Sequence, residues 1–171
     1  EAFDVLLFDL DGTLYKGMQP IDGAPEVVME AARRGSVIRY VTNNASKSAV
    51  SVAEHLTTLG LPASVEEVST SSQAAADLLS EVASQDASVL VVGSSALASE
   101  VDKAGFVPVR RYSEEVAVVV QGHSPETGWS QLAEASFAIR GGAVWVACND
   151  DATLLEKLVE AWATTPFDVL V

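Results

Sequence analysis

Val5-Leu6-Leu7-Phe8-Asp9-Leu10-Asp11-Gly12-Thr13-Leu14 is the stretch that decides the fold. Four apolar residues run without interruption into an aspartate. That pattern predicts a short buried strand, parallel and central in its sheet. Asp9 and Asp11 then stand two residues apart, followed by a glycine and a threonine suited to a turn. Carboxylates so spaced beyond a strand end can share one Mg²⁺, which takes a few carboxylate oxygens, several waters and phosphate. One carboxylate can attack phosphorus while the metal screens its repulsion from the phosphate. The other can protonate the leaving oxygen and later activate water. Gly12 lets the backbone come close to the phosphate.

Outward from this stretch, strands and helices alternate. A helix is predicted over 24–34, with Pro25 in its first turn and Gly35 as its stop. A strand over 37–41 ends at Thr42-Asn43-Asn44, and helices follow over 46–59 and 71–82. From about residue 84 the pattern restarts, with strands at 89–92, 116–120 and 143–147 and helices to 104 and over 127–140. The expected fold class is α/β: a Rossmann-like parallel-sheet core carrying an inserted second α/β unit. The expected division is core over 1–83, inserted domain over 84–153 and a return to the core over 154–171. Strand ends in small or polar residues, such as Gly122-His123-Ser124 and Asn149-Asp150-Asp151, mark where ligands of open α/β sheets gather.

Charge and composition narrow the function classes. The chain has 171 residues, 10 basic and 24 acidic, for a net charge of −14. A nucleic-acid binder would show the opposite balance. No apolar run approaches the roughly 20 residues that span a bilayer. Cys148 is the sole cysteine, so no intrachain disulfide forms and a cytoplasmic location is expected. The expected partner is a small phosphorylated metabolite rather than nucleic acid or membrane. A homo-oligomer is compatible with the sequence.

With these residues in view, the chain resembles the haloacid dehalogenase superfamily, whose first motif is DxDG[TV]. The resemblance implies that Asp9 is a nucleophile forming an aspartyl-phosphate. It makes Asp11 the general acid and base, with its carbonyl helping to bind Mg²⁺. The second motif of the superfamily is a Ser or Thr at the end of the next strand, a place held here by Thr42 in Val41-Thr42-Asn43-Asn44-Ala45-Ser46. Thr42, Asn43 and Gly12 are therefore the implied phosphate-binding residues, and Asp9 and Asp11 the implied metal ligands. The double asparagine is typical of the p-nitrophenylphosphatase and phosphoglycolate phosphatase branch, which carries a large α/β cap. The wording of the cap is nearest to that of glycerol-phosphate phosphatases. Within it, His123 and Trp129 are the candidates for substrate selection. Tyr15-Lys16-Gly17 falls where the superfamily places a small flap, and Lys16 could approach the leaving group. His55 reads as a surface or capping residue, Trp145 and Trp162 as core, and Cys148 as a small buried hydrophobe.

The implied activity is Mg²⁺-dependent hydrolysis of a small phosphomonoester, sugar- or glycerol-phosphate-like. Two further motifs of the superfamily are not visible: a lysine that steadies the phosphoryl charge, and a Gly-Asp pair with a further acid completing the metal site. Lys157 does not stand in the expected setting. The expectation is that a stretch is missing near residue 154 and another after Val171. The alternative is a catalytically inert fragment or binding protein that retains the fold without the later motifs. A receiver-type phosphoacceptor domain would separate its acidic residues from the phosphorylated aspartate. A phosphomutase would need room for a helical cap just after the first motif, and only about ten residues stand there.

Overall fold

The computed structural model describes residues 3–149. The expected return to the core over 154–171, with Lys157 and Trp162, lies outside the described residues, as do Asp150 and Asp151.

Strand β1 (Val5–Asp9) pairs in parallel with β4 (Val37–Thr42), which pairs in parallel with β5 (Val68–Thr70). The register sets Asp9 opposite Val41, so the first aspartate and Thr42 leave the sheet at the same end. Between β1 and β4 come a small hairpin, β2 (Tyr15–Lys16) and β3 (Gln19–Pro20), and helix α1 (Ala24–Arg33). Helix α2 (Ala49–Thr58) follows β4. Val28 of α1 and Val52 and Leu56 of α2 pack with Leu6, Phe8, Ile38 and Tyr40, so both helices cover one face of the sheet.

The other face corrects the expectation for β1. The strand is parallel, but among the described residues it lies at the sheet edge, with Val5 51% and Leu7 70% exposed. Successive side chains on a strand point to opposite faces. Only the face of Leu6 and Phe8 meets α1 and α2, so Val5, Leu7, Val37 and Val41 are left exposed.

Helix α3 (Ser71–Val82) occupies its expected residues. Thr70 and Gln73 cap it reciprocally: the Gln73 N–H donates to Thr70 Oγ1, and the Thr70 N–H donates to Gln73 Oε1. Its Ala75 and Leu79 pack with Val89, Val91, Val118 and Val120, all of the second sheet. The residues 71–83, placed in the core segment by the sequence pattern, thus bury their apolar face against the second unit.

That unit contains β6 (Ser88–Val92), α4 (Ser95–Lys103), β7 (Val107–Val109), β8 (Val116–Gln121), α5 (Trp129–Arg140) and β9 (Val144–Ala147). Its strands run parallel in the order β7-β6-β8-β9. Helices α3 and α4 cover one face, and α5 covers the other through Ala135 and Ala138. Trp145, expected in the core, is 57% exposed. It stands in register with Val119 on the α5 side of β9, while α5 packs over β6 and β8. Among the described residues, no helix is long and apolar enough to cross a membrane.

Candidate active site

The first motif is a tight turn built on Leu10. The N–H groups of Thr13 and Leu14 both donate to the Leu10 carbonyl, at 3.2 and 2.9 Å. Gly12 holds φ at +87°, a left-handed value that favours glycine, and its N–H donates to the Tyr15 carbonyl at 2.8 Å. Nothing lies within 4 Å of where a Cβ would stand, so backbone conformation rather than crowding selects glycine here. The Thr13 hydroxyl donates to Asp9 Oδ2 at 3.0 Å. This bond fixes one carboxylate oxygen and leaves Oδ1 for metal or phosphorus. Both Asp9 and Asp11 are exposed. The Tyr15 phenol is raised above its ordinary value, first by burial and then by the charges of Asp11 and Asp9. Two negative charges therefore converge beside a hydroxyl that stays protonated and can donate.

The second loop supplies donors. Thr42 is buried at 6% exposure, and its Oγ1 accepts the Asn44 N–H at 3.1 Å. A hydroxyl that accepts through a lone pair keeps its proton to give. The Asn44 side-chain oxygen accepts from the N–H and the hydroxyl of Ser46, at 2.8 and 2.6 Å. This local turn competes with helix formation. It explains why α2 begins at Ala49 behind a Ser48 cap, rather than at the expected Ser46. The Asn43 side chain has no hydrogen-bond partner among the described residues, so its amide is free to donate.

The two units meet at Ala45. Its carbonyl accepts the hydroxyl of Ser72 at 3.0 Å and that of Ser94 at 2.9 Å. A Cβ on Gly122 would stand 2.8 Å from Ala45 Cβ and 3.0 Å from Leu97 Cδ2, so only glycine permits this approach. The next residue is His123. A cleft of about 400 Å³ results, lined by Asp11 and Tyr15 from the first motif, by Thr42, Asn43 and Lys47 from the second loop, and by His123 and Asn149 from the inserted unit. That volume suits a small metabolite. A larger groove of about 700 Å³ lies at the amino ends of the core strands, around Phe3, Leu6 and Ser36. We assign no chemistry to it, because the convergent donors and carboxylates stand at the carboxyl ends.

The sequence-predicted residues are thus brought together unequally. Asp11, Thr42, Asn43 and His123 line one cleft, and Asp9 stands beside them at the end of β1. Trp129 is 82% exposed at the start of α5 and does not line this cleft, and neither does Lys16. Lys47 lines it without having been singled out, and Tyr15 lines it although, of the Tyr15-Lys16-Gly17 stretch, only Lys16 was given a role. The signal for Lys47 was a basic residue just beyond the Thr-Asn-Asn loop. His55, read as a surface or capping residue, is half-buried and bonded to the hairpin, with Nε2 3.0 Å from the Gly17 carbonyl. Cys148 packs against the second core, and burial pushes its thiol up to about 11, which leaves it a poor nucleophile.

The model of the haloacid dehalogenase-like hydrolase family matches residues 6–107. The chain belongs to that family. It is 52% identical over 154 residues to a D-glycerol 3-phosphate phosphatase from Mycobacterium tuberculosis, covering 90% of this chain and 43% of the relative. It is 37% identical over 154 residues to an acid sugar phosphatase from Staphylococcus aureus, covering 90% of this chain and 58% of that relative. The chain therefore spans about half the length of these relatives. A crystal structure of a glycerol phosphate phosphatase from Mycobacterium tuberculosis in complex with magnesium superposes with a TM-score of 0.81 at 52% identity. The match covers 86% of this chain and 44% of that one. A thermostable NPPase double mutant from Geobacillus stearothermophilus matches at a TM-score of 0.79 and 32% identity, over 88% of this chain and 57% of that one.

Proposed function

We propose that this protein hydrolyses a small phosphomonoester, sugar- or glycerol-phosphate-like, through an aspartyl-phosphate on Asp9. The observation that carries the proposal is the convergence of Asp11, Thr42, Asn43 and His123 on one cleft beside Asp9. The names of the phosphatase relatives support the substrate class. Asp9 and Asp11 are hard oxygen donors of the kind Mg²⁺ takes, and among the described residues no third acidic, histidine or cysteine side chain joins them. When bound there, Mg²⁺ would neutralise charge between the carboxylates and the phosphate.

The residues then divide the work. Thr42 and Asn43 donate to phosphoryl oxygens. Asp9 attacks phosphorus, and the bond to the leaving oxygen breaks as that oxygen takes a proton from Asp11. Water next attacks the phosphoryl group on Asp9 while Asp11, now a carboxylate, takes its proton, which releases phosphate, restores the Asp9 carboxylate and returns Asp11 to its protonated form. Lys47 adds positive charge to the cleft wall, and His123 and Asn149 face the leaving group from the inserted unit. The reaction belongs to a reducing cytoplasm, in keeping with a single cysteine. Initial rates of the full-length protein with Mg²⁺ on glycerol 3-phosphate, 2-phosphoglycolate, nucleoside monophosphates and an aryl phosphate test the reading. Release of phosphate from none of them would refute it.

A further inference from the structure

We propose that His55 is a positioning residue that latches the Tyr15–Pro20 hairpin over the cleft. The proposal rests on the phosphatase reading of that cleft. The hairpin is small: β2 and β3 contribute two residues each, joined through Gly17 and Met18. Gly17 takes φ +58° while Met18 keeps an ordinary negative φ, the pattern of a type II′ turn. Two-stranded hairpins are marginal on their own in water. This one is tied at its base, where the Gly12 N–H donates to the Tyr15 carbonyl and the Ile21 N–H to the Leu14 carbonyl.

Its tip is held from elsewhere. Nε2 of His55 lies 3.0 Å from the Gly17 carbonyl, across 38 residues of sequence. A carbonyl only accepts, so Nε2 carries the proton and donates. The same imidazole meets the Tyr15 ring edge-on, with centroids 4.8 Å apart and planes at 88°. Among the described residues, no other side chain bonds the hairpin backbone. Tyr15 and Gly17, the two residues that His55 touches, both line the cleft, whereas Met18 is 71% exposed. His55 is carried by α2, whose Val52, Ala53 and Leu56 are buried in the core. The same helix starts just beyond the Thr42-Asn43-Asn44 loop. One helix thus carries His55 and follows directly on the loop that bears Thr42 and Asn43, and the hairpin and that loop line the same cleft.

A latch of this kind sets the fraction of molecules with the roof in place. Binding weakens in proportion to that fraction, while a saturated site keeps its chemistry. The test uses the full-length protein with His55→Ala and His55→Gln, the glutamine amide supplying an N–H donor. Hydrogen–deuterium exchange of the peptide spanning 14–21 is read beside exchange in β6 and β8, which reports an intact fold. Loss of one such bond and one ring contact is expected to speed exchange at the tip about fivefold in His55→Ala. KM should rise by about the same factor with kcat within about twofold, and His55→Gln should recover part of both. Unchanged tip exchange in His55→Ala would overturn the latch, and so would a fall in kcat at unchanged KM. Exchange needs no turnover, so an inactive wild type would refute the phosphatase reading while the latch is still decided by exchange.

Discussion

Replacing Thr42 by valine separates what its hydroxyl does for the fold from what it does for the phosphate. Valine keeps the β-branched shape that the end of β4 buries, with Thr42 at 6% exposure. It removes the oxygen that accepts the Asn44 N–H at 3.1 Å. Asn44 is exposed, so water takes over that N–H, and the stability cost is that of one ordinary hydrogen bond, about 0.5–1.5 kcal/mol. For a chain of this size that lowers Tm by about 2–5 °C. The catalytic cost is larger. A donor aimed at charge developing in a dry transition state is worth about 10²–10³ in kcat, or about 3–4 kcal/mol. The two losses cannot be confused, because a protein several kcal/mol stable remains folded after losing one. The assay is kcat and KM of the full-length protein on an aryl phosphate with Mg²⁺, alongside a thermal melt. Thr42→Ser, which keeps the hydroxyl, should recover most of the rate. A Thr42→Val enzyme within threefold of wild type, or a Thr42→Ser enzyme as slow as Thr42→Val, would refute the role given to the hydroxyl.

Asp9→Asn should abolish turnover while leaving circular dichroism and Tm near wild type, since the side chain is exposed and an amide cannot form the acyl-phosphate. Residual activity near wild type would reject Asp9 as the nucleophile. Gly122→Ala would force a methyl to 2.8 Å from Ala45 Cβ and should cost about 1–3 kcal/mol, seen as a lower midpoint in urea. An unchanged midpoint would mean that the two units are not pressed together there. Tyr40 is fully buried and donates to the Pro62 carbonyl at 2.7 Å; burial, helped by Glu67, pushes its phenol up to about 12 from 10.0. A raised folded-state value means that this contribution is fully present below pH 10 and is lost as pH rises toward 12. Wild type should therefore lose stability across that window more steeply than Tyr40→Phe, and parallel pH profiles would count against it.

The strands of both sheets were legible because buried parallel strands announce themselves as apolar runs. Val5–Phe8, Val89–Val92 and Val116–Val120 each stand in a sheet at those residues. The short edges were not legible. β5 has only Val68–Thr70, and β7 spans Val107–Val109 around Pro108, a residue tolerated at a sheet edge but silent as a signal. Burial was misread wherever it depended on which neighbours reach a face. Leu7 and Trp145 are large and apolar in strands, as core residues are, yet Leu7 lies on a face that no described helix covers, and Trp145 lies on β9, beside α5 rather than beneath it, since α5 packs over β6 and β8.

The site divides along the same line. Asp9, Asp11 and Thr42, the residues proposed to carry the chemistry, could be singled out because what marks them is local: a carboxylate or hydroxyl at or just beyond a strand end, with Asp9 opposite Val41 in the register of β1 and β4. His123 was readable only as a polar strand-end residue, since what brings it to the cleft is the contact of Gly122 with Ala45 across a sequence gap of 77 residues. The role proposed for His55 could not be read from the sequence, where it looks like a surface or capping residue. Its partner is a backbone carbonyl in a hairpin 38 residues away, and a carbonyl has no signature in a sequence. The same reasoning sets the roles apart. Residues that touch phosphate must present one of a few functional groups, whereas a residue that holds a roof in place needs only a donor at the right distance. A change at His55 that keeps a donor is therefore expected to be tolerated, and one at Asp9 or Thr42 that alters the functional group is not.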